Sequence, residues 1–133
     1  MRGWIIGLVL ALGLAGGAWA QDAEIEGVIS DQLEAFKADN FDEAFTFAAP
    51  NIRGIFRTPE NFGFMVRRGY PMVWRPADVT FLDLREQGGV LIQTVRIEDA
   101  DGAVHLLAYS MLQTDLGWKI AGVQLLDAPG VNA

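Results

Sequence analysis

Five residues in the second half of the chain have side chains suited to chemistry: Asp83, Arg96, His105, Tyr109 and Trp118. A carboxylate can take a proton, a tyrosine hydroxyl can donate to a developing oxyanion, an imidazole titrates near neutrality and a guanidinium holds anions. None of them sits in a motif that names a reaction. There is no G-x-S-x-G, P-loop or H-E-x-x-H, and His105 is the only histidine. Cysteine is absent, which excludes thiol nucleophiles, Cys-based zinc sites and disulfide support. Glu98-Asp99-Ala100-Asp101-Gly102 has the composition of a calcium loop but lacks the bidentate glutamate at the required distance, and reads as a turn. No catalytic residue, metal site or cofactor is therefore assigned, and the five residues stand as candidate ligand contacts.

Each of the polar candidates also has a plainer reading. A lone strand histidine near an arginine suits a half-exposed structural position. Tyr109 suits a core residue with a satisfied hydroxyl. Asp83, if it points inward, is costly unless paired, and Arg96 or Arg85 could pair it.

What brings these residues together is a run of strands. After Pro76 the hydrophobic period changes from helical to alternating, and strands are predicted at 78–86, 90–98, 103–113 and 118–126. The turns Gln87-Gly88-Gly89, Ala100-Asp101-Gly102 and Thr114-Asp115-Leu116-Gly117 are short enough to make every neighbouring pair an antiparallel hairpin. That register sets Asp83 against Ile92, Arg96 against His105, Ile92 against Tyr109 and Tyr109 against Gly122. One face then carries Phe81, Asp83, Arg96, His105, Tyr109, Trp118 and Ile120. The other carries Leu84, Leu91, Val95, Ile97, Leu106, Ala108 and Val123. Both faces are too apolar to be wetted. The helices are assigned to the face with Trp118 and Tyr109, because it holds the large aromatics and because Gly122 would leave room for the Tyr109 ring. The aliphatic face becomes a subunit or partner contact, and a homodimer is expected.

Upstream, Ile25, Val28, Ile29, Leu33 and Phe36 recur at helical spacing, so 22–38 reads as an amphipathic helix. Asn40, with Glu43 three residues on, caps a short second helix that Pro50 is expected to end; one or two further turns follow at 51–57. Thr58-Pro59-Glu60 starts a helix over 59–68, with Gly69 and Pro71 after it. Helices followed by a meander make the fold class α+β.

The first twenty residues have the pattern of an export signal: Arg2, an apolar run from Trp4 to Leu14, and Ala18-Trp19-Ala20 before Gln21. Cleavage there leaves a single domain at 21–133, in the periplasm and without a membrane attachment. The alternative is an uncleaved anchor, since the apolar stretch approaches the ~20 residues a bilayer needs. The net charge of −7 argues against nucleic acid as a partner. Acids crowd 22–43, whereas Arg53, Arg57, Arg67, Arg68 and Arg75 follow with Glu60 as the only acid among them. The plain reading is a pair of solvated helical faces that attract each other; an anion-binding arginine patch is the alternative.

Thr58-Pro59-Glu60-Asn61-Phe62, the run Gly69-Tyr70-Pro71-Met72-Val73-Trp74-Arg75-Pro76, and the ending Gly117-Trp118-Lys119-Ile120-Ala121-Gly122-Val123-Gln124-Leu125-Leu126 resemble a family of small exported bacterial proteins of unknown function. That family is similar to the nuclear transport factor 2-like, or cystatin-like, superfamily, in which helices sit in the mouth of a curved antiparallel sheet. The resemblance implies a cone with a cavity and frequent dimers, and no particular activity. The expected function is an exported module that binds a small apolar or weakly polar ligand, or a protein. The alternative is a small-molecule isomerase, dehydratase or cyclase that uses Asp83 and Tyr109 in the cone. Isomerases of the ketosteroid type place a tyrosine in the first helices, where this chain has Phe36, Phe41, Phe45 and Phe47.

Overall fold

The computed structural model describes the backbone of residues 2–126 and the side chains of residues 20–126; the side chains of the export segment, and so the cleavage expectation, lie outside the described residues. Helix α1 (Arg2–Lys37) passes through the Gln21 position without interruption and buries Ile25, Ile29, Leu33 and Phe36 as one stripe. In α2 (Phe41–Thr46) Asn40 accepts from the Glu43 N–H and donates to the Glu43 carboxylate, both at 3.2 Å, which closes the first turn from two sides. Pro50 does not end this helix. It occupies the first turn of α3 (Pro50–Phe56), where a missing N–H costs nothing. Thr58 caps α4 (Pro59–Gly69) by accepting from Asn61 N–H at 3.1 Å, as its sequence predicts. Pro71 likewise opens a further single turn, α5 (Pro71–Trp74), rather than only stopping α4.

The helices are joined by phenylalanines. Phe36, Phe45 and Phe56 surround Phe62 with ring centroids 5.3 to 5.8 Å away. A Cβ on Gly63 would stand 2.6 Å from the Phe41 ring, so only glycine lets α4 approach α2 this closely. Arg75 fastens the end of α1 to the end of α5: it donates to the Phe36 carbonyl at 2.9 Å and to both Asp39 oxygens at 3.0 and 3.1 Å.

Strands β1 (Pro76–Gln87), β2 (Val90–Asp99), β3 (Val104–Thr114) and β4 (Gly117–Leu126) form one antiparallel sheet in the order β1-β2-β3-β4. The helices pack on the face that carries Trp118 and Tyr109, joined there by Val95, Ile97, Leu107, Met111 and Ile120 in one buried cluster. The chain is thus α+β, with N-terminal helices on a four-stranded meander.

The register departs from the expected one where the turns and bulges decide it. Gly88 and Gly89 both have positive φ, 61° and 82°, and form a two-residue turn with Gln87 paired to Val90. The second turn has three residues, since Asp99 and Ala103 pair across it. Together these rotate all of β2: Val95 and Ile97 point into the core, while Ile92, Thr94 and Arg96 lie on the other face. Arg96 pairs with Leu106 rather than His105, and Tyr109 with Gln93 and Val123 rather than Ile92 and Gly122. In β1 one extra residue enters between Phe81 and Leu84, so Leu82 and Asp83 together stand against Thr94. In β4 another enters at Ala121 and turns Val123 inward.

The β4 edge is closed by the helical layer. Ile120 N–H donates to the Phe47 carbonyl at 2.9 Å, Ala49 N–H to the Ile120 carbonyl at 2.8 Å, and Asn51 Nδ2 to the Ala121 carbonyl at 2.9 Å. This docking sets α3 against the inner surface of β4, and α4 faces β4 across a space.

Candidate functional site

The five residues singled out in the sequence do not form one constellation. Tyr109 is fully buried on the covered face, and its hydroxyl is without a hydrogen-bond partner among the described residues. Burial pushes that phenol well above its ordinary value, and electrostatic repulsion from the Tyr70 phenol adds to the effect. Trp118 is a core residue on the same face. His105 stands opposite Ile97 near the start of β3, with Nε2 2.9 Å from Asp99 Oδ2. Asp99 also accepts the N–H groups of Asp101 and Ala103, each at 2.9 Å. The His105 hydrogen bond, followed by that of Ala103, holds the Asp99 carboxyl below the usual aspartate range. His105 is thereby accounted for as the clasp of the β2–β3 turn.

Arg96 lies on the opposite face, 3.9 Å from Asp78 and from Glu98, both partly exposed. Asp83 sits exposed in the β1 bulge. Its carbonyl and that of Leu82 accept from Gln93 Nε2 at 3.3 and 3.2 Å, and the same nitrogen lies 2.9 Å from the Thr94 carbonyl. The expected pairing of Asp83 with Arg96 or Arg85 is not made among the described residues. The β1 bulge leaves Asp83 exposed, whereas Tyr109 is fully buried.

The space lies elsewhere on the covered side. A cavity of about 280 Å³ opens between α1, α3, α4 and the inner side of β4, walled by Phe36, Phe56, Phe62, Val66, Ile120 and Val123. Ile52 and Ile55 line it from α3 and Met65 from α4; Ile55 is 68% exposed, which marks the opening. Two lining side chains are polar. Gln32, buried in α1, donates to the Ala44 carbonyl at 3.1 Å, and the Tyr70 hydroxyl donates to the Val123 carbonyl at 3.2 Å. None of the five candidates from the sequence lines this cavity.

Sequence reasoning passed over Gln32, Tyr70 and Gln93. Gln32 had a legible signal: it falls three residues after Ile29 and four before Phe36, inside the apolar stripe of α1. Tyr70 was visible only as part of Gly69-Tyr70-Pro71, whose fold over the β4 edge no spacing discloses. Gln93 could have been found only with the right β2 register.

Among the described residues no group of three His, Asp or Glu side chains is placed to hold a metal, and no helix is long and apolar enough to cross a membrane. No curated protein and no solved structure matches the chain. The family model described as a domain of unknown function (DUF4864) matches residues 18–133, nearly the whole chain, and the protein therefore belongs to the DUF4864 family.

Proposed function

We propose that this protein is an exported ligand-binding module, rather than an enzyme, which holds one small and mostly apolar molecule between α3, α4 and β4. The cavity carries the reading. At about 280 Å³ it falls just below the usual range of small-molecule sites, ~300–1,000 Å³, and it has the composition of such sites: apolar walls with a few polar groups. The helices on one face of an antiparallel meander, with space between them, support a place in the nuclear transport factor 2-like superfamily. The export reading is supported by the N-terminal charge, apolar run and A-W-A sequence. The isomerase alternative loses its support with the separation of Asp83 from Tyr109.

One preparation tests both halves. Protein purified from an exporting host should have the intact mass of a chain starting at Gln21, and native mass spectrometry should find a retained or added small molecule such as 1-decanol. Met65→Trp, which puts a larger side chain into the cavity wall, should abolish decanol binding and leave the thermal midpoint unchanged or higher. Decanol binding that survives Met65→Trp would place the ligand elsewhere. No binding to the folded wild type would end the ligand reading.

A further inference from the structure

The turn at the opening of the cavity is strained, and the strain presents an arginine. Between α3 and α4 the chain reverses at Arg57, with φ 70° and ψ −42°. Thr58 N–H donates back to the Phe56 carbonyl at 2.8 Å, which makes a γ-turn of the rare, strained hand on a residue with a Cβ. Asn61 Nδ2 donates to the same carbonyl at 2.9 Å and Thr58 caps α4, so the conformation is held from both sides. Ile55 and Phe56, immediately before it, line the cavity.

Arg57 is exposed and makes no ion pair, side-chain hydrogen bond or aromatic stack among the described residues. Its neighbours differ. Arg53, Arg67 and Arg68 lie over the rings of Phe45, Phe41 and Phe64 at 5.5, 5.5 and 4.7 Å, and Arg75 is bound to Asp39. The stacked guanidiniums keep their charge, and Glu60 is the only acid between positions 53 and 75. In a chain of net charge −7, the segment from Arg53 to Arg75 has the opposite sign.

Resting on the reading that the cavity holds a ligand, we propose that the ligand is a single-chain amphiphile with an anionic head, of the medium-chain carboxylate class. Its chain lies among Phe36, Phe62 and Val66, and its head meets Arg57. The size follows from the volume: a cavity of ~150 Å³ holds benzene, so about 280 Å³ takes roughly ten or eleven heavy atoms. A chain of that length leaves the cavity at Ile55, two residues before Arg57. A guanidinium without a partner suits a carboxylate, which it can grip through two N–H groups.

Titration calorimetry of the wild-type protein with decanoate and with 1-decanol at low ionic strength tests this. Decanoate should bind at least tenfold more tightly. Arg57→Gly should remove that tenfold preference, leave decanol affinity within about twofold, and raise the thermal midpoint, because glycine relieves the positive φ; Arg57→Lys should keep part of the preference. Equal affinity of wild type for the two probes would overturn the proposal while sparing the ligand reading, as would an equal loss of both in Arg57→Gly. Binding of neither probe would overturn both. A third arm uses vesicles of phosphatidylglycerol below the concentration of free amphiphile: Arg57-dependent sedimentation with vesicles, without decanoate binding, would replace the amphiphile with a membrane surface.

Discussion

Tyr109 is a candidate ligand contact by its sequence, with a core position and a satisfied hydroxyl as the plainer reading; the structure buries the ring and leaves the hydroxyl unpaired among the described residues. An unsatisfied buried hydroxyl costs about 1–3 kcal/mol, whereas a phenylalanine of the same outline has no such cost. Tyr109→Phe should therefore raise stability by roughly 1 kcal/mol, read as a higher denaturant midpoint with unchanged slope. A loss of stability would mean that the hydroxyl has a partner in solution. The other candidates follow the same logic. Arg96 has ion pairs at 3.9 Å on a partly exposed face, a class of contact worth about 0–1 kcal/mol, and His105 is occupied by Asp99. Residue type alone marked these side chains as chemical; their partners make them structural.

At the scale of elements, the turns decide more than the strands do. Asp99 clasps the β2–β3 turn through His105, Ala103 and Asp101, and its carboxyl is held below the ordinary aspartate value of ~3.9. A depressed folded value means that the contribution to stability is full above the ordinary value and is lost as pH falls from about 4 through the lower folded value. Asp99→Asn should thus be less stable than wild type at pH 7, and the gap should shrink as pH falls below about 4 in denaturation followed at each pH. A gap that stays constant with pH would show that the clasp does not depend on the carboxylate charge. Asp39, lowered by its hydrogen bonds from Trp74 and then Arg75, adds a second acid-sensitive contact in the same window, between α1 and α5. The helix starts at Asn40, Thr58 and Pro59 were legible because capping is local. The β2 face was not, because a change of one residue in a turn inverts a whole strand.

For the whole molecule, the helices cover one face of the sheet, and the other presents Ile92, Leu106, Ala108 and Leu112 around Thr94. Val95, expected on this open face, is instead fully buried. If a second copy covers the open face, Ala108→Glu, at its centre, should place an unpaired carboxylate in the contact and shift sedimentation from dimer to monomer. A wild-type monomer at high micromolar concentration would remove the dimer. The amino-acid order by itself determined the α+β class, the N-caps at Asn40 and Thr58, the number of strands and the β3 residues that face inward, since these follow from period and from caps within a few residues. It could also show an arginine-rich stretch in an acidic chain. Only the tertiary structure decided which residues surround a cavity, because Gln32, Ile55, Met65, Tyr70 and Val123 come from α1, α3, α4, the α4–α5 junction and β4, and meet only when the helical layer docks on the β4 edge. It also decided that Arg57 is strained in the turn between α3 and α4: a positive φ on a non-glycine residue is imposed by the contacts on either side of the turn, and no local propensity predicts it.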